Sequence, residues 1–340
     1  MRLQAPFIQL PLRFDAACLA AEVDALGEDV WRPHPQGYPG NSMVPLVAVD
    51  GDPANELFRG PMQPTAELAR CPYLTQVFAS LGVTAGRSRL MRLSGHAEVT
   101  RHVDHGYYWI ERVRVHVPIV TQPTVRFECG DATINMAAGE CWIFDTWRQH
   151  RVVNDAEQSR IHLVIDTVGG GDFWRLVGQG WPHAAPREPG AAPRLVAPQP
   201  GRVVPFALET MNLPEVMSPW EMDAHFALLF GDALPHPQLA RVQQLATGLS
   251  QTWRGLWARF GTAPEGHPHF SAAIEQFIAE VRAPAQTLAL RNETSWLSGM
   301  IAMIGRPAVR SNARAARPAM PAAPAGNVHP RAAASRAAAR

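Results

Sequence analysis

Two histidines and one aspartate are the residues of this sequence whose types and spacing best fit a metal centre. His102 and Asp104 form a His-x-Asp pattern, and His150 lies much further along the chain. On an extended segment, residues i and i+2 project to the same side, so one ion can reach both side chains. Two histidines and one carboxylate on one face of a metal are typical of non-haem Fe(II) oxygenases, which leave other positions open for cosubstrate and oxygen. The pattern therefore predicts a catalytic Fe(II) site formed by His102, Asp104 and His150.

A basic residue beyond the second histidine strengthens this interpretation, because a lone His-x-Asp tripeptide often arises by chance. Arg160 lies on the next predicted strand after His150. A guanidinium presents a planar fork that matches a carboxylate in bidentate fashion. Arg160 is therefore a candidate to bind the distal carboxylate of 2-oxoglutarate. Arg114 and His116 share the polar face of another predicted strand and are candidates to complete that pocket.

The elements that must position these residues are short strands. From residue 87 onward, β-branched and aromatic runs alternate with turn residues, which indicates a sandwich or barrel rather than βαβ units. In the run 112–120, valines and an isoleucine occupy one face, while Arg112, Arg114 and His116 occupy the other. A barrel with a polar interior and helices outside gives this alternation, and so does an ordinary half-exposed strand.

Three stretches resemble, in order, the aspartyl/asparaginyl β-hydroxylase family, which includes bacterial proline hydroxylases. They are HVDHGYYWIERVRVHVPIVTQPTVRFECGD, MAAGECWIFDTWRQHRVVN and SRIHLVIDTVG, and the resemblance covers about residues 87–168. It implies an α+β fold, a double-stranded β-helix (cupin-like jelly roll) flanked by helices, that uses Fe(II), 2-oxoglutarate and O2. The matching positions are His102, Asp104 and His150 for the iron ligands, Arg160 for the cosubstrate arginine, and Arg114 and His116 for an R-x-H motif that faces the cosubstrate.

One position departs from part of that family, and one ligand has a competitor. Animal-type members have glycine in place of Asp104 and bind iron through two histidines only, so the complete triad resembles the bacterial small-molecule branch. Counting back from His116, His105 matches the animal spacing without gaps and therefore competes with His102. The sequence favours His102, because a carboxylate follows two residues later. His105 would then face the substrate or the rim of the pocket.

The substrate that the resemblance implies is an amino acid, free or within a peptide. Arg112 is a candidate to bind a substrate carboxylate, although arginine is common here because the chain contains no lysine. Tyr107 and Trp109 are candidates for a substrate wall, and packing aromatics are the alternative. Hydroxylation of an unactivated C–H is the expected reaction.

Composition shifts predict four regions along the chain. Residues 1–180 are expected to form the dioxygenase domain, 181–200 a Pro-rich linker or extended wrap, 201–305 a helical region, and 306–340 a disordered Arg/Ala/Pro tail. The run Ser-Pro-Trp-Glu from Ser218 is a capping box that should begin a helix. The helical region is a candidate lid, a self-association surface or a docking surface for a protein partner.

The bulk composition excludes several classes of protein. The formal net charge of +1 gives no long-range attraction to nucleic acid. No stretch approaches the roughly 18 apolar residues that a membrane span requires. The four cysteines form no C-x-x-C pair, which favours free thiols in a reducing compartment. The expectation is a cytoplasmic protein without nucleic-acid or membrane partners.

Two rival functions share parts of this pattern. A non-catalytic cupin-type module that binds a metal or ligand, with a helical docking region, would be expected to have lost a ligand position, and none is lost here. A zinc hydrolase with the same ligands would need a general base beside the metal-bound water. Arg160, a carboxylate-binding residue, favours the oxygenase over that hydrolase.

Overall fold

The strands are short, as the alternating apolar pattern predicts. In the computed structural model, which describes residues 1–310, the N-terminal part contributes β1 (Phe7–Phe14), β2 (Arg32–Pro33), β3 (Asn41–Val49) and β4 (Met62–Pro64). Eight consecutive strands follow: β5 (Thr84–Leu93), β6 (Glu98–His102), β7 (Val113–Val120), β8 (Val125–Cys129), β9 (Ala132–Ile134), β10 (Glu140–Phe144), β11 (His150–Asn154) and β12 (Arg160–Gly169). Three short strands come later: β13 (Trp181–Pro182), β14 (Arg194–Val196) and β15 (Ala207–Leu208).

The eight central strands are divided equally between two sheets, in which they pair antiparallel, and the chain crosses between the sheets at every step except from β8 to β9. The larger sheet has β10, β7, β12 and β5 side by side, and the smaller sheet has the order β6-β11-β8-β9. Side chains of both sheets pack on each other, as Phe127 of β8 and Phe144 of β10 do with ring centroids 4.8 Å apart. A chain that crosses in this way between two facing sheets is a double-stranded β-helix, or jelly roll. The predicted α+β fold class is therefore confirmed.

Helices cover the outer face of the larger sheet and form the C-terminal region. They are α1 (Ala16–Asp24), α2 (Ala66–Ala69), α3 (Pro72–Leu81), α4 (Tyr107–Ile110), α5 (Gly171–Gly178), α6 (Pro219–Asp232), α7 (Leu239–Phe260), α8 (His267–Arg282) and α9 (Trp296–Met300), with a 3-10 turn at Pro264–Gly266 and a π-helical turn at Ile301–Gly305. The valines of β7 join the core beneath these helices, together with Leu74 and Phe78 of α3. The polar residues of β7 consequently face the space between the two sheets.

The C-terminal helices have their own core and are anchored on the jelly roll. Trp253 and Phe270 are fully buried there. The predicted capping box begins α6, since the Glu221 amide donates to Ser218 Oγ at 3.2 Å and the Glu221 side chain accepts from the Ser218 amide. Trp147 Nε1, in the loop between β10 and β11, donates to Asp232 Oδ2 of α6 at 2.9 Å.

Residues Met1–Arg310 form one compact unit, in which regions 1–180 and 201–305 are packed together. Their division into separate folding domains stays a prediction. The segment 181–200 runs as an extended wrap along the sheet edge, because β13 and β14 both pair with β1. The predicted tail lies outside the described residues from residue 311 onward. Within residues 1–310, no helix combines the length and apolar character needed to cross a bilayer.

Candidate metal and cosubstrate site

Strand pairing brings the two predicted histidine ligands together. His102, the last residue of β6, lies directly opposite His150, the first residue of β11, with ring centroids 4.2 Å apart. The Nδ1 atom of His102 is 2.7 Å from the carbonyl of Thr100, and that of His150 is 2.9 Å from the carbonyl of Arg148. A carbonyl oxygen can only accept, so the ring proton is on Nδ1 in each neutral histidine. Both Nε2 lone pairs are therefore free to bind a metal ion.

Asp104 completes the set of three ligand atoms. Its Oδ1 lies 3.9 Å from His102 Nε2, and its Oδ2 lies 3.8 Å from His150 Nε2. The three ligand atoms are all within 4.8 Å of one another. His150 Nε2 and Asp104 Oδ2 are buried and have no hydrogen-bond partner within residues 1–310. Buried polar atoms are rarely left unsatisfied, and this donor set fits Fe(II), so the residues present fit the implied metal.

The electrostatics hold Asp104 and His150 in the protonation states that a metal needs. Burial raises the pKa of Asp104, but the guanidinium of Arg114, whose Nη1 is 3.0 Å from Oδ2, holds that pKa well below its usual range. This contact is an ion pair that is not aligned as a hydrogen bond. Burial, followed by the nearby charge of His102, lowers the pKa of His150 to about 3. At neutral pH the site therefore presents a carboxylate and a neutral imidazole.

Arg114 lies between two carboxylates rather than free in the pocket. Its Nε donates to Asp166 Oδ1 at 3.0 Å, while its Nη1 lies 3.0 Å from Asp104 Oδ2. Trp109 covers the guanidinium, with the Arg114 Cζ atom 4.4 Å from the ring centroid. The predicted position of Arg114 on the polar face is therefore observed, and its contacts are those of a residue that orients Asp104.

Arg160 is a buried cation without an acidic partner. The side chain is 4% exposed, and the described part of the chain places no carboxylate within ion-pair distance of it. Nη2 donates to His162 Nδ1 at 2.6 Å, and Nε has no partner in residues 1–310. Burial lowers the pKa of Arg160 to about 9, so the group is still charged at neutral pH. A buried charge without a counter-ion is costly, which makes this position suited to bind an anion.

Two buried histidines lie beside Arg160. His116 on β7 and His162 on β12 have their Nδ1 atoms 3.3 Å apart, and neither Nε2 atom has a partner in the described chain. Burial lowers both pKa values well below the usual value, so both rings are neutral. His116 was predicted here, but His162 was missed. The signal was available, since His162 is two residues after Arg160 and therefore on the same side of its strand.

His105 and Arg112, two of the predicted site residues, make their contacts elsewhere. His105 contacts the Val103 carbonyl through Nδ1 at 3.2 Å and is not among the three clustered ligand residues, which favours His102. Arg112 donates from Nε and Nη2 to Glu209, at 2.8 and 2.9 Å, and from Nη1 to the Tyr108 carbonyl. Its donors are used within the protein, so we do not include Arg112 in the substrate site.

The two candidate wall residues have different surroundings. The hydroxyl of Tyr107 donates to Glu221, and the ring packs in the core of the C-terminal helices. Tyr107 therefore anchors α6 rather than lining the site. Trp109 lies over Arg114, which contacts Asp104, and 5.5 Å from the ring of Phe58, and its role as a substrate wall stays a prediction.

Comparison with known proteins gives a family match for the central part of the chain. Residues 54–169 match the family model described as aspartyl/asparaginyl beta-hydroxylase. L-proline cis-3-hydroxylase 1 of a Streptomyces species is 30% identical over 141 residues, which are 38% of this chain and 48% of that protein. The chain thus spans about half the length of this curated relative.

Solved structures with some likeness include two bacterial proteins. A prolyl-4-hydroxylase of Pseudomonas putida is 15% identical, with 48% of this chain and 92% of that chain covered and a TM-score of 0.33. An oxidoreductase of the 2OG-Fe(II) oxygenase family from Burkholderia pseudomallei is 14% identical, with coverages of 49% and 87% and a TM-score of 0.36. The family match and the ordered motifs together make residues 54–169 of this chain similar to the aspartyl/asparaginyl β-hydroxylase family.

Proposed function

We propose that this protein is an Fe(II)- and 2-oxoglutarate-dependent dioxygenase that hydroxylates an unactivated C–H of an amino acid, free or within a peptide. The observation that carries the proposal is the buried Arg160, which has no acidic partner in residues 1–310, on the same jelly roll as the clustered ligand atoms of His102, Asp104 and His150. A metal site alone fits many functions, whereas a metal site with a buried carboxylate-binding arginine fits a cosubstrate with two carboxylates. The name of the Streptomyces relative supports an amino-acid substrate.

His102, Asp104 and His150 would hold Fe(II). With 2-oxoglutarate and O2 bound, the centre supplies oxidation of an unactivated C–H, with succinate and CO2 as the other products. Arg160 binds the distal carboxylate of the cosubstrate, which provides its missing counter-ion. Arg114 keeps Asp104 ionised and fixes its orientation, because it holds Asp104 and Asp166 at the same time.

The neutral histidines and the aromatic rings around them keep this region dry. His116 packs against Phe127 and Phe144, with ring centroids 5.3 and 5.4 Å away. An ion pair between Arg160 and a carboxylate is stronger in such surroundings than in water. The unpartnered Nε2 atoms of His116 and His162 provide further polar contacts for the cosubstrate.

Two further parts of the proposal concern the surroundings of the enzyme. The four cysteines are free thiols, three of them buried, which supports a reducing cytoplasmic compartment. The C-terminal helices, anchored to the jelly roll through Tyr107 and Trp147, offer a surface for a protein partner or for self-association.

Anaerobic titration of the Fe(II)-loaded protein with 2-oxoglutarate tests the proposal. We expect a weak visible charge-transfer band in the wild type that weakens sharply in Arg160→Ala. Arg126→Ala is a matched control, because the Arg126 side chain is 44% exposed on the smaller sheet and pairs with Asp155. No band despite stoichiometric iron would overturn the oxygenase assignment and favour a non-catalytic binding module. A band that persists unchanged in Arg160→Ala would refute the role of Arg160.

A further inference from the structure

Two arginines of β5 face the same interior space, and the mechanism above does not use them. Arg87 and Arg89 alternate along the strand with Ser88 and Leu90, which are fully buried on the other face. Arg89 lies opposite Val164 of β12, and Val164 lies opposite His116 of β7. Directly paired residues share a face of the sheet, so Arg89 is on the face that carries His116. Neighbouring strands are about 4.8 Å apart, which places β5 roughly 10 Å from β7.

Neither arginine has an anionic partner in residues 1–310. Arg89 is 6% exposed; Nη1 lies 3.7 Å from the sulfur of Met43, and Nε has no partner in the described chain. Arg87 is half-buried with an unpaired Nε, and its guanidinium lies 4.0 Å from the centroid of the Phe58 ring. Burying an unpaired charge disfavours the folded state, so a retained pair of such charges requires a reason.

The charges on this interior face do not balance. Four arginines, Arg87, Arg89, Arg114 and Arg160, share the space with Asp104 and Asp166, and Arg114 engages both of these aspartates. Under the proposed function, the distal carboxylate of the cosubstrate neutralises Arg160. Arg87 and Arg89, both on β5, then remain without a carboxylate of residues 1–310 within ion-pair distance.

Trp109 connects these charges to the candidate metal ligands. Its ring centroid is 5.6 Å from the Arg87 guanidinium and 4.4 Å from that of Arg114, which in turn contacts Asp104. A molecule held by the β5 arginines would therefore lie near the indole face, close to the carboxylate ligand.

We propose that Arg87 and Arg89 form an anion subsite that binds a carboxylate of the substrate. This rests on the proposed function for the identity of the bound molecule as a substrate. The recognised chemistry is a carboxylate, which either the α-carboxylate of a free amino acid or the side chain of an acidic residue in a peptide can supply. The arginines bind this group and orient the rest of the molecule along Trp109.

Binding measurements that need no turnover test the subsite. The full-length protein, loaded with redox-inert Zn(II) and 2-oxoglutarate, is titrated calorimetrically with each standard L-amino acid and with its carboxamide. The peptide arm uses acetylated, amidated Gly-Asp-Gly and Gly-Glu-Gly, with the Asn and Gln peptides as their neutral counterparts. We expect either a free amino acid or an acidic peptide to bind, and the matching carboxamide or Asn/Gln peptide not to bind. Binding of free amino acids alone, or of acidic peptides alone, identifies which source is used.

Substitutions on β5 then assign the binding to the two arginines. Arg89→Met and Arg87→Met should each weaken binding of that probe roughly 10- to 100-fold, as expected when a hydrogen bond to a charged group is lost. Arg92→Met is the matched control, because Arg92 is on the same strand but faces outward and pairs with Glu28 at 2.8 Å. Its affinity should equal that of the wild type.

The possible results separate this proposal from the proposed function. Equal binding of the carboxylate and neutral probes, wild-type affinity in both β5 variants, or no binding of any probe would overturn the subsite. If the wild type does not bind 2-oxoglutarate, the oxygenase assignment is overturned instead. If Arg89→Met does not fold, Arg87→Met and Arg89→Lys decide the result, with Arg89→Lys expected to retain part of the affinity.

Discussion

Replacing Arg160 with methionine should make the cosubstrate-free protein more stable than the wild type and the cosubstrate-bound protein less stable. Methionine fills a similar volume without a charge. In the free protein, the substitution removes a buried cation that has no acidic partner in residues 1–310. In the bound protein, it removes the group that receives the distal carboxylate.

The magnitude follows from the burial of the guanidinium. Burial lowers the pKa of Arg160 from 12.5 to about 9, and each pKa unit corresponds to about 1.4 kcal/mol. The group is protonated at pH 7 in both the folded and unfolded states, so its charge destabilises the fold by about 5 kcal/mol there. This penalty is fully present below pH 9 and is relieved as the pH rises toward 12.5. The hydrogen bond to His162 offsets about 1–3 kcal/mol, which leaves a net gain of about 2–4 kcal/mol for Arg160→Met.

Urea unfolding at pH 7, with Zn(II) present, measures both states. Without 2-oxoglutarate, the free energy of unfolding should be about 2–4 kcal/mol higher for Arg160→Met than for the wild type. With the cosubstrate at about 100 times its Kd, the wild type should gain about 2.7 kcal/mol, and the variant should gain little. Arg126→Met, at a position whose side chain is partly exposed, should change neither value by more than about 0.5 kcal/mol. The reasoning would be refuted if Arg160→Met without cosubstrate were less stable than the wild type. It would also be refuted if 2-oxoglutarate stabilised the variant as much as it stabilises the wild type.

Three further predictions address other parts of the structure. His162→Phe removes the acceptor of the Arg160 hydrogen bond and should raise the Kd for 2-oxoglutarate roughly tenfold in calorimetric titration; an unchanged Kd would contradict a positioning role. His102→Ala should lose stoichiometric Fe(II) binding, measured by metal analysis after anaerobic dialysis, while His105→Ala keeps it; the opposite result would return His105 to the ligand set. Trp253→Ala empties a fully buried position of α7 that packs on Phe270 of α8, and it should lower the free energy of unfolding in urea by about 3–5 kcal/mol; a loss below 1 kcal/mol would contradict the packing.

Much of the local structure could be predicted because it depends on neighbours in the sequence. The valines of β7 alternate with Arg114 and His116, and this alternation assigned the two faces before any pairing was known. The capping box at Ser218 needs only Glu221 three residues later, and it begins α6 as expected. The His-x-Asp spacing similarly placed two candidate ligands on one side of an extended segment.

Contacts between distant segments were not available from the same signals. Arg112 was a candidate for the substrate carboxylate, but Glu209 takes its donors, and these residues are 97 positions apart. Tyr107 was a candidate wall residue, but it bonds to Glu221 across a separation of 114 residues. In a chain whose basic residues are arginine or histidine, no local pattern distinguishes paired arginines from unpaired ones.

The sequence by itself determined the chemistry available to this protein: the ligand types, the carboxylate-binding arginine and the faces on which they lie. The tertiary structure decided which of these groups meet. Strand register places His150 opposite His102 and leaves His105 outside the cluster. Folding also supplies acidic partners to Arg112 and Arg114, whereas Arg87, Arg89 and Arg160 receive none from residues 1–310. Secondary-structure propensity depends on a few neighbouring residues, whereas burial and charge pairing depend on the whole fold. Only the folded chain therefore shows which charged side chains still need a ligand.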